Sequence, residues 1–109
     1  MNEIARFFSP GVVINASSTA GTTSARFPYG RFSGGGVLIG NTNGCTQIAW
    51  YGAAGPESTP LQIYADGSAV TTSVVVGAHP IPDACFGMHF VAPIVVGGTT
   101  CAMTVMCKG

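Results

Sequence analysis

The chain has 109 residues, four of them Lys or Arg and four Asp or Glu, with zero formal net charge and 47 % hydrophobic residues. This charged fraction of 7 % is about a quarter of that in an ordinary soluble domain, so the surface must be covered largely by uncharged groups. Arg6, Arg26 and Arg31 are scattered rather than clustered, which argues against a nucleic-acid partner, and no stretch reaches the ~18–20 apolar residues of a membrane span.

Met1 to Phe8 shows no basic start followed by an apolar run, so no signal peptide is expected and synthesis in a host cytoplasm is. Val12-Val13-Ile14 has the makings of one short strand, but Ala16 to Ala25 is almost entirely Ala, Ser, Thr and Gly and lacks the bulk to fill a core. Residues 1–30 are therefore read as an extended N-terminal arm, mobile or laid on a neighbouring subunit, ending in an aromatic turn at Phe27-Pro28-Tyr29-Gly30. Residues 31–109 are read as the folded domain.

From Arg31 onward no segment carries the spacing of a surface helix. Gly34-Gly35-Gly36 leads into a strand at Val37-Leu38-Ile39, and Asn41-Thr42-Asn43-Gly44 predicts a hairpin turn into Cys45 to Tyr51. Gly52 to Pro60 is read as a loop. Leu61 to Ala65 alternates, placing Leu61 and Ile63 inward and Gln62 and Tyr64 outward, and Asp66-Gly67 predicts a second hairpin into Ser68 to Val76. Gly77 to Pro82 reads as loop, with a short helical turn near Asp83. Met88, Phe90 and Ala92 share a strand face that Pro93 ends or bends, and Gly97-Gly98 turns the chain into a last strand. There Cys101, Met103, Val105 and Cys107 alternate as a core row, with Cys101 and Cys107 as core thiols. The pattern predicts an all-β, single-domain β-sandwich or jelly roll of about 7–8 short antiparallel strands.

No constellation for chemistry stands out. Cys45, Cys85, Cys101, Cys107, His79 and His89 lack the close pairs that structural zinc takes, and no metal or cofactor is expected. Cys101 and Cys107, roughly 20 Å apart on one strand face, cannot bridge each other, while a disulfide from Cys45 or Cys85 to one of them stays open. Asp66 belongs to a turn and Asp83 to a cap. No Gly-x-Ser-x-Gly elbow, carboxylate pair or phosphate loop is present, so the chain is not expected to be an enzyme. Trp50 and Tyr51 are adjacent and face opposite ways in a strand, so one of them is expected at the surface. With Asn41 and Asn43 they make a candidate contact set for a sugar or a protein.

An arm at residues 1–30 followed by a strand-rich, nearly uncharged body resembles, in organisation, the decoration or cement proteins of tailed-phage heads. The resemblance implies a virion protein on the capsid surface that binds the major capsid protein, clusters around symmetry axes and clamps neighbouring capsomers. The scarcity of charge independently predicts a homo-oligomer, with a trimer as the smallest assembly about a three-fold axis. Two readings stand against this one. The first is a carbohydrate-binding or adhesion module using Trp50, Tyr51, Asn41 and Asn43; the second is an extracellular filament subunit whose arm completes a neighbour's sheet.

Overall fold

The computed structural model describes residues 11–30, 32 and 34–108. Their strands are β1 (Val12–Ser17), β2 (Phe27–Pro28), β3 (Gly34–Ile39), β4 (Gln47–Ala53), β5 (Leu61–Gln62), β6 (Tyr64–Ala65), β7 (Ser68–Ala69), β8 (Thr71–Ser73), β9 (Gly77–Pro80), β10 (Phe90–Val96) and β11 (Thr100–Lys108). Two antiparallel sheets form the sandwich, one ordered β1-β11-β3-β9, the other β2-β10-β4 with β5 and β8 both on the far side of β4, and β6-β7 make a separate two-stranded sheet. The fold is an all-β sandwich. It has more and shorter strands than the sequence suggested, because β5 to β8 divide what reads as two continuous runs.

The core lies between the sheets, and each sheet's inner face follows from strand parity. On β11, Cys101, Met103, Val105 and Cys107 point inward, and β3 adds Val37 and Ile39 to the same face. From the other sheet come Ile48 and Trp50 of β4 with Val91 and Val95 of β10. The registers Trp50↔Pro93 and Ile48↔Val95 keep these side chains on one face.

The arm reading fails for residues 12–30. β1 pairs with β11 over its whole length, from Val12↔Val105 to Ser17↔Thr100, and Ala16, Phe27 and Tyr29 are buried in the core. Residues 1–10 lie outside the described residues. The Ser/Thr/Gly stretch after β1 lacks bulk, as expected, but it is ordered by polar contacts instead. Arg26 Nε donates to the Ser24 carbonyl, its Nη1 to those of Gly55 and Ser58, and its Nη2 to those of Gly21 and Thr22, at 2.7–3.2 Å. All five guanidinium donors are thus used on backbone oxygens. Beside them Ser24 Oγ donates to the Thr19 carbonyl and accepts the Gly21 N–H, both at 2.7 Å.

Other expectations change for similar non-local reasons. Asn43 and Gly44 take the positive φ values of 50° and 81° that the turn requires, yet the turn is not a hairpin: β3 and β4 lie in different sheets, and it carries the chain from one to the other. Asp66 and Gly67, at φ 53° and 79°, do close a hairpin, between β6 and β7. Gly77–Pro80 is strand β9 rather than loop, paired with β3. Leu61 is 72 % exposed rather than inward, since β5 lies at the sheet's outer edge and only Ile63 reaches the core.

β10 continues through Pro93. Trp50 turns its backbone away from β10, its N–H donating to the Val70 carbonyl and its carbonyl accepting from Ile63, so the Pro93 nitrogen points to the β2 side. β2 pairs only with Phe90 and Val91, and no donor is needed at Pro93. The glycine triplet is structural as well: a Cβ on Gly35 would run into the Met106 carbonyl and the Ile81 side chain, because β3 is held close to β11 there.

Candidate interaction surface

Strand parity that sends the core row of β11 inward sends Ala102, Thr104, Met106 and Lys108 outward. Across the four strands, Val13, Thr104, Leu38 and Ala78 stand in one continuous row. A second row runs Met106, Gly36, Pro80, and Asn15 faces Ala102 beyond the first. Val13 is 68 % exposed, Leu38 40 % and Met106 38 %, and none of the residues in these rows is charged. Just before β9, Val75 and Val76 are exposed as well. Apart from Lys108 at the end of β11, the outer face of this sheet is therefore largely apolar and uncharged over several strands, the kind of contiguous patch that marks contact with another protein surface.

At one end of this face, Asn15, Asn41, Asn43 and Thr100 line a groove of about 360 Å³. Its amides already serve the fold in part: Asn41 Oδ1 accepts the Asn43 N–H at 2.9 Å, and Asn43 Nδ2 donates to the Thr100 carbonyl at 3.0 Å. Trp50 is not part of it. The indole is fully buried, and its Nε1–H donates to Thr72 Oγ1 at 2.9 Å, so the expectation of Trp50 as a surface contact is corrected. Its neighbour Tyr51 is half-buried on the opposite side of β4, beside Ala92. The aromatics that do stand out are Tyr64 and Phe86, 64 % and 66 % exposed. Tyr64 lines an open groove of about 500 Å³ together with Leu61, Met88 and His89. Alternation pointed Tyr64 outward; nothing local distinguished Phe86, which follows a single 3-10 turn at Asp83–Cys85.

The thiols are interior. Cys45, Cys85, Cys101 and Cys107 are all buried and unbridged. They fall at two ends of the core: Cys45 meets Cys101, whereas Cys85 and Cys107 both lie close enough to Tyr29 to act on its ionisation. Burial pushes the Cys85 thiol up to about 12. Burial, then Cys107, Cys85 and Asp83, push the Tyr29 phenol up to about 12 as well, and burial with the adjacent Cys45 raises Cys101. Each of these groups is neutral when protonated, so folding holds the proton more tightly than the unfolded chain does. The stabilisation is complete below the unfolded values of 9.0 for Cys85 and 10.0 for Tyr29 and is lost as pH rises towards about 12. Thermal unfolding should hold steady up to about pH 9 and then fall, Cys85 contributing first and Tyr29 from about pH 10, each by at most about 1.4 kcal/mol per pH unit. A midpoint unchanged at pH 11 would contradict this burial.

Among the described residues, no group of three His, Cys, Asp or Glu is placed to hold one metal ion.

No protein-family model matches the sequence. No curated protein matches it either. Among solved structures, the chain is similar in fold to the SPBc2 prophage-derived protein YomS, with a TM-score of 0.64 over 100 % of this chain and 99 % of that one, at 13 % identity. The likeness covers nearly all of both chains and is one of fold.

Proposed function

We propose that the protein is a structural component of a phage particle, a decoration protein that binds the capsid shell as an oligomer and reinforces it. The observation that carries this reading is the uncharged, largely apolar row across the outer face of the four-stranded sheet, running from Val13 through Leu38 to Ala78. A chain with so few charges has little to keep such a face apart from a partner, and its burial favours association. The end-to-end fold likeness to a prophage-derived protein is consistent with a phage setting. Binding that favours the assembled lattice over its free subunits stabilises that lattice by mass action.

The test is a comparison of purified particles made with and without the gene. The protein is expected in intact particles by mass spectrometry, and particles lacking it should release their genome at lower temperature or after milder osmotic shock. Absence from the particles overturns the proposal. So does equal robustness combined with failure to adsorb to cells, which supports the adhesion reading and directs attention to Tyr51, Asn41 and Asn43.

A further inference from the structure

β1 is the last strand of its sheet; β10 of the other sheet lies beside it, but among the described residues no strand other than β11 is hydrogen-bonded to it. Which backbone groups face away from β11 follows from the ladder. The Ser18 N–H donates to the Thr99 carbonyl at 3.0 Å. Hydrogen-bonded pairs recur every second residue in an antiparallel ladder, so Ala16↔Cys101, Ile14↔Met103 and Val12↔Val105 bond to β11. Val13, Asn15 and Ser17 consequently aim their N–H and carbonyl groups outward, with the spacing that another antiparallel strand would meet.

Edge strands are ordinarily blunted by charge, proline or a bulge. β1 has none of these: its sequence is VVINAS, and its pairing with β11 is unbroken over six residues. Val12 and Val13, 50 % and 68 % exposed, are its first two residues.

We propose that β1 pairs antiparallel with β1 of a second copy, joining two four-stranded sheets into one across a two-fold axis. An identical strand is the fitting occupant because an antiparallel pair of equal edges is self-complementary about a two-fold. Neutrality removes the like-charge repulsion that opposes most self-pairing. One register engages all three outward residues: Val13 with Ser17 of the second copy, Asn15 with its own counterpart on the axis, and Ser17 with Val13 of the second copy. Each pair then exchanges two N–H···O bonds. The side chains of Val13, Asn15 and Ser17 share the outer face, so the two Asn15 amides meet across the axis and the apolar rows of both copies become one surface. This deepens the assembly reading by naming the surface and the partner.

Cysteine placed at position 15 tests the register. Residues of a hydrogen-bonded pair have Cα atoms ~5.5 Å apart, within disulfide range, whereas two copies of residue 17 would stand more than ~10 Å apart. With an added small-molecule disulfide as oxidant, two Asn15→Cys thiols lose their protons and form one S–S bond while the oxidant is reduced to two thiols. Asn15→Cys should give a covalent dimer on non-reducing gels. The unsubstituted chain, whose own cysteines are buried, and Ser17→Cys should not. Asn15→Pro removes only an outward-facing N–H, so the sandwich should keep its circular dichroism and melting temperature while light scattering shows a monomer in place of the dimer. A monomer for the unsubstituted chain, equal cross-linking at positions 15 and 17, or a folded Asn15→Pro dimer overturns the inference. A monomer that is nonetheless found in particles overturns this inference alone, and a dimer absent from particles overturns only the functional reading.

Discussion

Deleting residues 1–17 is expected to abolish the cooperative unfolding transition of the remaining chain. The deletion removes β1, which lies against β11 through six register pairs and places Ala16 in the core. β11 then becomes an edge, and the side of Met103 and Cys101 that β1 covers opens to water. An 11.0 kDa domain has one modest core, and stability of ~5–15 kcal/mol overall does not survive loss of a full strand. Circular dichroism with thermal melting reads the outcome. If the truncated chain melts sharply near the temperature of the full one, β1 is an appendage, as the small-residue composition around it first suggested.

Trp50→Ala should destabilise the protein by ~3–5 kcal/mol in chemical denaturation, the range for emptying an aromatic site in a closed core. Trp50 is fully buried between the sheets, among Ile48, Val91 and Val95. Its polar edge is separable from its bulk. Thr72→Val keeps the side-chain volume but leaves the indole N–H, 2.9 Å from Thr72 Oγ1, without its acceptor, at a cost of ~1–3 kcal/mol. Because the chain has a single Trp, its fluorescence reports the same site directly. Emission should be blue-shifted in the native protein and move red on unfolding. A native spectrum like that of exposed indole would contradict the burial and restore Trp50 as a surface contact.

The fate of Trp50 shows where sequence stops being informative. β4 reads QIAWYGA, apolar on both phases, so its alternation cannot say which of Trp50 and Tyr51 faces in; the decision rests on Thr72 and Pro93, distant in sequence. β11 is the opposite case. Its inward row of Cys101, Met103, Val105 and Cys107 was legible because that phase is apolar throughout while the other carries Thr100, Thr104 and Lys108. Turns were legible as shapes and not as connections: Asn43-Gly44 and Asp66-Gly67 have the same backbone, yet only the second joins paired strands. The neutral face could be anticipated as a property of composition. Its place, on Val13, Leu38 and Met106, depended on the registers of three strand pairs.

Arg26 brings a consequence of another kind. Its guanidinium joins the loop after β1 to the loop between β4 and β5 through carbonyl oxygens alone. Carbonyl dipoles neither titrate nor attract a condensed shell of counterions. Unlike a carboxylate ion pair, this joint has no acid limb on which a partner is neutralised, and added salt weakens it less. One end of the sandwich is thus fastened in a way indifferent to whether the surroundings are fresh water, brine or mild acid.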